Sequence, residues 1–292
     1  MADIKTIGVL GAGQMGNGIA HVAAQNGYDV ILQDIAPEAL TRAQQTMTAN
    51  MGREVTREKI SEADKEAALA RITTTTELAE AAGAQLVIEA ATEDEALKQQ
   101  LYAQLAPHLK QSTIVASNTS SISITKLAAS LPDPARFIGM HFFYPVPMMA
   151  LVELIRGMAT SQETYQAARQ VVERMQKTPV VCKDSPGFIA NRIVIPMLNE
   201  AVFALQEGVG SVEDIDTAMK LGLAHPMGPL TLADYIGLDT VLAVMRVLYN
   251  EFGDSKYRPC PLLVKLVEAG WLGVKSGRGF YDYSQQPPVP TL

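Results

Sequence analysis

A glycine-rich turn between an apolar segment and a helical segment is the feature that most constrains what this chain can fold into. Residues 5–10 form a short apolar run, which is typical of a buried parallel strand. Gly11-Ala12-Gly13-Gln14-Met15-Gly16 follows directly, and the residues after it have helical character. Glycines at this spacing let the backbone approach a pyrophosphate, which rests on the helix N-terminus. We therefore predict a dinucleotide site with contacts from Gly11, Gly13, Gln14, Met15 and Gly16; a glycine turn without a ligand is the alternative.

The residue after the second predicted strand indicates which dinucleotide binds. Residues 28–33 form that strand, and Asp34 follows Gly16 by 18 residues. This is near the spacing of about 20 residues at which an acidic side chain meets the adenosine ribose. A carboxylate there accepts hydrogen bonds from the ribose and repels a 2′-phosphate. The sequence therefore favours NAD over NADP as the cofactor.

Strand and helix patterns continue to alternate along the first half of the chain. Further strands are predicted at residues 84–89 and 113–117, with a helix between them, and this alternation indicates a doubly wound parallel sheet. Ligands of such sheets bind beyond the carboxyl ends of the strands. The residues that fall there are Ala91, Glu93, Asn118 and Ser120.

The composition changes at residues 183–187, and the chain has a helical pattern from Phe188 onward. We therefore predict an α/β fold with two domains. An N-terminal doubly wound Rossmann-type domain covers residues 1–184, and an all-α C-terminal domain covers residues 185–292.

A histidine and a glutamate twelve positions apart suggest acid–base chemistry. His141 lies where a β-rich run gives way to a loop punctuated by prolines, and Glu153 interrupts the apolar segment 150–155. A carboxylate in so apolar a run must find a partner or lose its charge. If that partner is His141, the two form a general acid/base and its orienting group. The same pattern also fits a core histidine and an unconnected glutamate at a sheet edge.

Charge and cysteine content exclude several classes of partner. The 292 residues include 24 basic and 31 acidic side chains, a net charge of −7 without a basic cluster, so we predict neither nucleic acid nor a membrane as partner. Cys182 and Cys260 lie far apart, which indicates neither a disulfide framework nor a metal site. We expect a cytoplasmic protein, because the chain shows no signal peptide or apolar span.

Six motifs follow one another in a fixed order over nearly the whole chain. The motifs are Gly11–Gly16, Val87-Ile88-Glu89-Ala90-Ala91-Thr92-Glu93, Ser117-Asn118-Thr119-Ser120-Ser121, His141-Phe142-Phe143-Tyr144-Pro145-Val146-Pro147 with Leu151-Val152-Glu153, Asp184-Ser185-Pro186-Gly187-Phe188-Ile189-Ala190-Asn191-Arg192, and His225-Pro226-Met227-Gly228-Pro229-Leu230. Together they resemble the NAD-dependent L-3-hydroxyacyl-CoA dehydrogenase family, and within it the short bacterial 3-hydroxybutyryl-CoA branch.

The resemblance implies a role for each matching residue. His141 matches the catalytic base and Glu153 its orienting carboxylate. Ser120 matches a serine that hydrogen-bonds the reacting oxygen, and Asn191 an asparagine that positions the acyl chain. His141, Ser120 and Asn191 would therefore contact the substrate as well as act in catalysis.

The resemblance also implies cofactor, substrate and subunit contacts. Glu93, Lys98 and Lys275 match positions that line the NAD cofactor. The substrate would be an acyl-CoA, and Arg53 and Arg57 are our candidates for its phosphates because they lie in the best local source of cations. The C-terminal helical domain matches the dimerisation domain of the family, so a homodimer is expected.

Two positions depart from the family pattern and leave alternatives for the function. Tyr144, which we count among the cofactor contacts, stands where asparagine is common, and Val274 stands where a basic residue is common. One alternative is a dehydrogenase of a free hydroxy acid, of the gulonate or carnitine type. Another is a catalytically silent NAD-binding protein.

Overall fold

The computed structural model describes residues 4–292, which divide into two compact units after Ser185. This division lies one residue beyond the predicted domain boundary. Within residues 4–292, no helix combines the length and the apolar character that a membrane crossing requires.

An eight-stranded sheet forms the centre of the first unit. Its strands are β1 (Thr6–Leu10), β2 (Asp29–Gln33), β3 (Ile72–Thr75), β4 (Leu86–Glu89), β5 (Ile114–Ser117), β6 (Phe137–Phe142), β7 (Leu151–Arg156) and β8 (Thr178–Lys183). They are arranged in the order β3-β2-β1-β4-β5-β6-β7-β8. Strands β1 to β6 are parallel, β7 is antiparallel to β6, and β8 is parallel to β7. The predicted doubly wound fold is confirmed, with one antiparallel pairing inserted near its edge.

In the described part of the first unit, residues 4–185, seven helices pack against this sheet. They are α1 (Gln14–Gln25), α2 (Pro37–Thr56), α3 (Glu62–Ala70), α4 (Leu78–Ala82), α5 (Glu95–Leu105), α6 (Ile124–Ala128) and α7 (Gln162–Arg174), with short 3₁₀ turns at Ala106–His108 and Pro134–Arg136. Side-chain oxygens satisfy backbone N–H groups at several helix starts: Ser61, Asp94 and Ser161 each accept a hydrogen bond from the third residue of their helix.

Two local features of the first unit depart from what their segments indicate. Gly52 is an unfavourable residue within a helix, but α2 continues past it to Thr56, because Met47 and Met51 extend its buried stripe. The sequence indicated no element at residues 72–75, where β3 pairs with β2. Its threonine-rich segment lacks the apolar pattern of a buried strand, although threonine is itself a good strand former.

The second unit is mainly helical, as predicted. It contains α8 (Ala190–Gln206), α9 (Val212–Thr217), α10 (Pro229–Ile236), α11 (Leu238–Phe252) and α12 (Pro261–Glu268), a π turn at Ala218–Gly222, and 3₁₀ turns at Ser255–Tyr257 and Val274–Ser276. Near the end of the chain, β9 (Tyr281–Asp282) pairs with β10 (Val289–Pro290) in an antiparallel arrangement.

A buried carboxylate fastens the C-terminal segment to the helices of the second unit. The oxygens of Asp234 accept the backbone N–H groups of Phe280 and Tyr281, both at 3.0 Å, and the Tyr283 hydroxyl at 3.1 Å. Burial outweighs these hydrogen bonds and raises the pKa of Asp234 to about 6. The segment is therefore held through a group that titrates near neutral pH.

Candidate active site

The glycine turn has the geometry that a bound pyrophosphate requires. Gly11 has a φ of +96°, which favours glycine, and its N–H donates to the Gln33 carbonyl at 2.8 Å. A Cβ at Gly16 would overlap the Gly11 carbonyl oxygen, whereas a Cβ at Gly13 would meet nothing within 4 Å. Among residues 4–292, no side chain caps the N-terminus of α1, so its N–H groups are available to an anion. These residues fit a dinucleotide phosphate.

Asp34 lies beside this turn at the carboxyl end of β2. Its Oδ2 accepts the Ala12 N–H at 2.7 Å, and its Oδ1 accepts the Ala36 N–H at 3.0 Å. These bonds orient the carboxylate and leave lone pairs on both oxygens. The contact with a ribose stays a prediction, and the geometry is compatible with it.

His141 and Glu153 face each other across the antiparallel pairing of β6 and β7. The register pairs them directly, which brings side chains on the same face together. His141 Nδ1 lies 2.8 Å from Glu153 Oε2, and the two residues are 6% and 1% exposed. An ionised carboxylate only accepts hydrogen bonds, so it selects the tautomer in which Nδ1 carries the proton and Nε2 is a proton acceptor. The alternative of an unconnected glutamate at a sheet edge is wrong.

The charge of Glu153 also contributes to the pKa of the neighbouring Cys182 thiol. Cys182 is buried in β8, and burial, followed by the charges of Glu153 and Asp184, raises the pKa of its thiol to about 11. Cys182 therefore offers an independent readout of the charge on Glu153.

Glu93 holds the loop that contains Ser120. Its Oε1 accepts five hydrogen bonds: from the Thr119 hydroxyl at 2.7 Å, from the Ser120 N–H and hydroxyl at 2.8 and 3.1 Å, and from the Ser121 N–H and hydroxyl, both at 3.2 Å. Burial opposes the ionisation of Glu93, but Lys98 and these hydrogen bonds outweigh it and lower its pKa. The structure therefore brings the predicted residues Glu93 and Ser120 into direct contact.

Lys98, which is predicted to line the cofactor, is buried in the structure. The residue is 1% exposed, and its Nζ lies 2.5 Å from Glu89 Oε1 and 3.5 Å from Glu93 Oε2. Its contact with the cofactor stays a prediction. Glu89 also accepts the hydroxyls of Tyr102 and Ser117, at 2.9 and 2.7 Å.

We did not identify Glu89 as part of this network. Glu89 is an acidic residue at the end of an apolar strand, and a carboxylate there needs a partner. The same argument singled out Glu153.

The other predicted residues of the first unit fall into three places. Ala91 and Asn118 follow β4 and β5: the Ala91 N–H donates to Glu89 Oε1 at 2.7 Å, and Asn118 Oδ1 accepts the Phe142 N–H at 2.9 Å. Tyr144 is 61% exposed in the loop between β6 and β7. Arg53 and Arg57 are exposed at the end of α2, where the Arg53 guanidinium hydrogen-bonds Asn50 Oδ1.

Two predicted residues belong to the second unit. Asn191 is the second residue of α8 and is half-buried. Lys275 lies in a 3₁₀ turn, and its Nζ is 2.5 Å from Asp239 Oδ1. Their contacts with cofactor or substrate stay predictions.

Comparison with known proteins identifies related chains of nearly equal length. A family model described as the 3-hydroxyacyl-CoA dehydrogenase NAD binding domain matches residues 6–185, and one described as the C-terminal domain of the same family matches residues 187–283. The chain is 56% identical over 290 residues to a 3-hydroxybutyryl-CoA dehydrogenase of Bradyrhizobium diazoefficiens, with 99% of each chain covered. It is 50% identical over 284 residues to a probable 3-hydroxybutyryl-CoA dehydrogenase of Bacillus subtilis, covering 97% of this chain and 99% of the relative.

A solved structure is similar over the same length. The crystal structure of (S)-3-hydroxybutyryl-CoA dehydrogenase from Ralstonia eutropha matches with a TM-score of 0.95 at 52% identity, covering 97% of this chain and 100% of that one.

Proposed function

Because the chain belongs to the 3-hydroxyacyl-CoA dehydrogenase family, we propose that it interconverts (S)-3-hydroxybutyryl-CoA and acetoacetyl-CoA with NAD as its cofactor. The observation that carries this proposal is the buried 2.8 Å hydrogen bond between His141 and Glu153, in the same unit as the glycine turn. The names of the relatives at 50% and 56% identity support the four-carbon substrate.

Oxidation of the substrate alcohol requires removal of the hydroxyl proton as hydride leaves the carbon that carries the hydroxyl group. The nicotinamide supplies the hydride acceptor. His141 Nε2 takes the proton, and Glu153 stabilises the cation that forms on the imidazole. In the reverse direction the protonated His141 returns the proton to the developing alkoxide. A general base of this kind contributes about 10²–10⁴-fold to the rate.

Ser120 and Asn191 complete the proposed catalytic set. Both are hydrogen-bond donors, and we assign them to substrate oxygens whose negative charge grows in the transition state. For Ser120, the bond from its N–H to Glu93 supports a fixed backbone position after β5, and its single hydroxyl proton, which faces Glu93 in the structure, would turn to the substrate oxygen. Asn191 is assigned from its place in the family motif.

The test of the proposal is the oxidation of NADH that depends on acetoacetyl-CoA. Wild-type protein should turn over, and His141→Ala should lose about 10²–10⁴-fold in kcat. His108→Ala, which changes an exposed histidine, is the matched control. An inactive wild type or an unimpaired His141→Ala variant would refute the assignment. A panel of hydroxy acids without the CoA moiety separates this activity from that of a free hydroxy acid dehydrogenase.

The assignment of Arg57 to the CoA phosphates has its own test. Arg57→Glu should raise the KM for acetoacetyl-CoA far more than the KM for NADH, because it repels only the substrate phosphates. Equal effects on both constants would remove Arg57 from the substrate site.

A cytoplasmic homodimer completes the proposal. Two free, buried cysteines are compatible with a reducing compartment. Large exposed apolar side chains in the second unit, among them Ile193, Leu221 and Leu223, support association through that unit. Light scattering during size-exclusion chromatography should give twice the chain mass of 31.5 kDa.

A further inference from the structure

The loop of residues 143–150 joins the two strands that carry His141 and Glu153. It folds back on itself, because the Pro145 carbonyl accepts the N–H groups of Met148 and Met149 at 2.9 and 3.1 Å. The loop begins two residues after His141 and contains Tyr144, one of the predicted cofactor contacts. The position of this loop therefore affects both the predicted cofactor contact of Tyr144 and the surroundings of His141.

A buried lysine holds this loop from the side of the edge strand. Lys177 directly precedes β8 and is 8% exposed. Its Nζ donates to the carbonyls of Val146 and Met149, both at 2.7 Å. The adjacent Thr178 N–H donates to the Ala150 carbonyl at 2.7 Å. One lysine side chain and one backbone bond therefore fix the second half of the loop.

The first helix holds the same loop from another side. A Cβ added at Gly18 of α1 would lie 2.8 Å from Val146 Cβ, so the helix and the loop are already in close contact. The loop is thus held between Lys177 and the helix whose N-terminus forms the dinucleotide site.

Burying a charged ammonium at this position costs desolvation free energy. Burial lowers the pKa of the Lys177 ammonium, and both hydrogen-bond acceptors are neutral backbone carbonyls. If the site needed only packing, an apolar side chain of similar length would avoid the desolvation cost. An ammonium, unlike a methyl group, satisfies two carbonyls at once and so defines where the loop lies.

We propose that Lys177 is a positioning residue for the reaction: its ammonium fixes the loop of residues 143–150 against α1 and thereby places Tyr144 at the nicotinamide end of the cofactor. This proposal rests on the proposed function, since it takes Tyr144 as a cofactor contact. Lys177 acts through the loop and does not itself touch cofactor or substrate.

The test compares Lys177→Met with Lys177→Arg, and uses Lys110→Met as a matched control. Lys110 also donates to a backbone carbonyl, that of Gly83, but from an exposed position. NADH affinity is measured by fluorescence titration without substrate, and kcat and KM are measured below the unfolding temperature of every variant. Lys177→Met should weaken NADH binding about 10-fold and raise the KM for NADH more than that for acetoacetyl-CoA. Lys177→Arg should recover most of the affinity, and Lys110→Met should match the wild type.

Two outcomes would overturn the proposal. The first is a Lys177→Met variant that unfolds at a lower temperature but keeps wild-type NADH affinity and kinetics, because Lys177 would then only stabilise the fold. If Lys177→Met does not fold, Gly18→Ala takes its place, since the added methyl group pushes Val146 from the other side. Unchanged NADH affinity in folded Gly18→Ala is the second outcome. NADH titration needs no turnover, so a failure of the proposed acetoacetyl-CoA activity is recognised separately.

Discussion

Replacing Glu153 with glutamine removes one negative charge beside His141 and retains an oxygen of nearly the same size. In the wild type, Glu153 Oε2 lies 2.8 Å from His141 Nδ1, and the carboxylate is buried, so solvent screens the interaction little. Glutamine accepts the same hydrogen bond when its amide is correctly oriented, but it does not stabilise a cation on the ring. The substitution therefore separates the charge of Glu153 from its shape.

The size of the effect follows from that single contact. A hydrogen bond to a charged group contributes about 1.5–3 kcal/mol and one between neutral groups about 0.5–1.5 kcal/mol, so the loss of charge costs about 1–1.5 kcal/mol. Because about 1.4 kcal/mol corresponds to a tenfold change in rate, kcat should fall about 5–13-fold. The loss should be smaller than that of His141→Ala, which removes the base itself.

The assay is steady-state NADH oxidation with saturating acetoacetyl-CoA, combined with thermal unfolding to confirm that the variant is folded. Alkylation of Cys182 supplies a second readout, because Glu153 contributes to its thiol pKa of about 11, after burial. Glu153→Gln should lower that pKa and speed alkylation at a fixed alkaline pH. A folded variant with wild-type kcat would refute the stabilisation of the His141 cation by the charge of Glu153. An unchanged alkylation rate would show that the charge of Glu153 does not affect the pKa of the Cys182 thiol.

Three further predictions follow from the geometry of each unit. Gly16→Ala should abolish NADH binding in a fluorescence titration, because the added Cβ would overlap the Gly11 carbonyl oxygen; retained affinity would contradict the tight turn. Asp34→Ser should raise the ratio of NADPH to NADH efficiency, because it removes the charge that repels a 2′-phosphate; an unchanged ratio would place cofactor selection elsewhere. The pKa of Asp234 is raised by burial to about 6, above its unfolded value, so the proton stabilises the folded state at low pH and that contribution is lost as pH rises through about 6. Between pH 4 and pH 7 the free energy of unfolding should therefore lose about 2.4 kcal/mol that Asp234→Asn does not lose, measured by urea titration; a pH-independent difference between the two proteins would oppose this explanation.

Short-range patterns allowed much of the first unit to be predicted. The glycine turn and Asp34 lie in consecutive segments whose conformations depend on neighbouring residues, and the structure confirms the strand, turn and helix that were expected there. Strand and helix periodicity likewise indicated the doubly wound sheet and the helical second unit.

The sequence by itself thus determined which segments fold locally and which residue types have the chemistry for a dehydrogenase. Only the tertiary structure decided which of those residues meet. The contact of His141 with Glu153 depends on the register of β6 and β7, and a shift of one residue would turn one side chain to the other face. The buried ion pair of Lys98 with Glu89 likewise joins residues from different elements. The same is true of the hydrogen bond from Lys177 to the loop of residues 143–150. These contacts form only when separate segments pack together. The residue pattern within one segment therefore does not predict which residue of another segment will contact it.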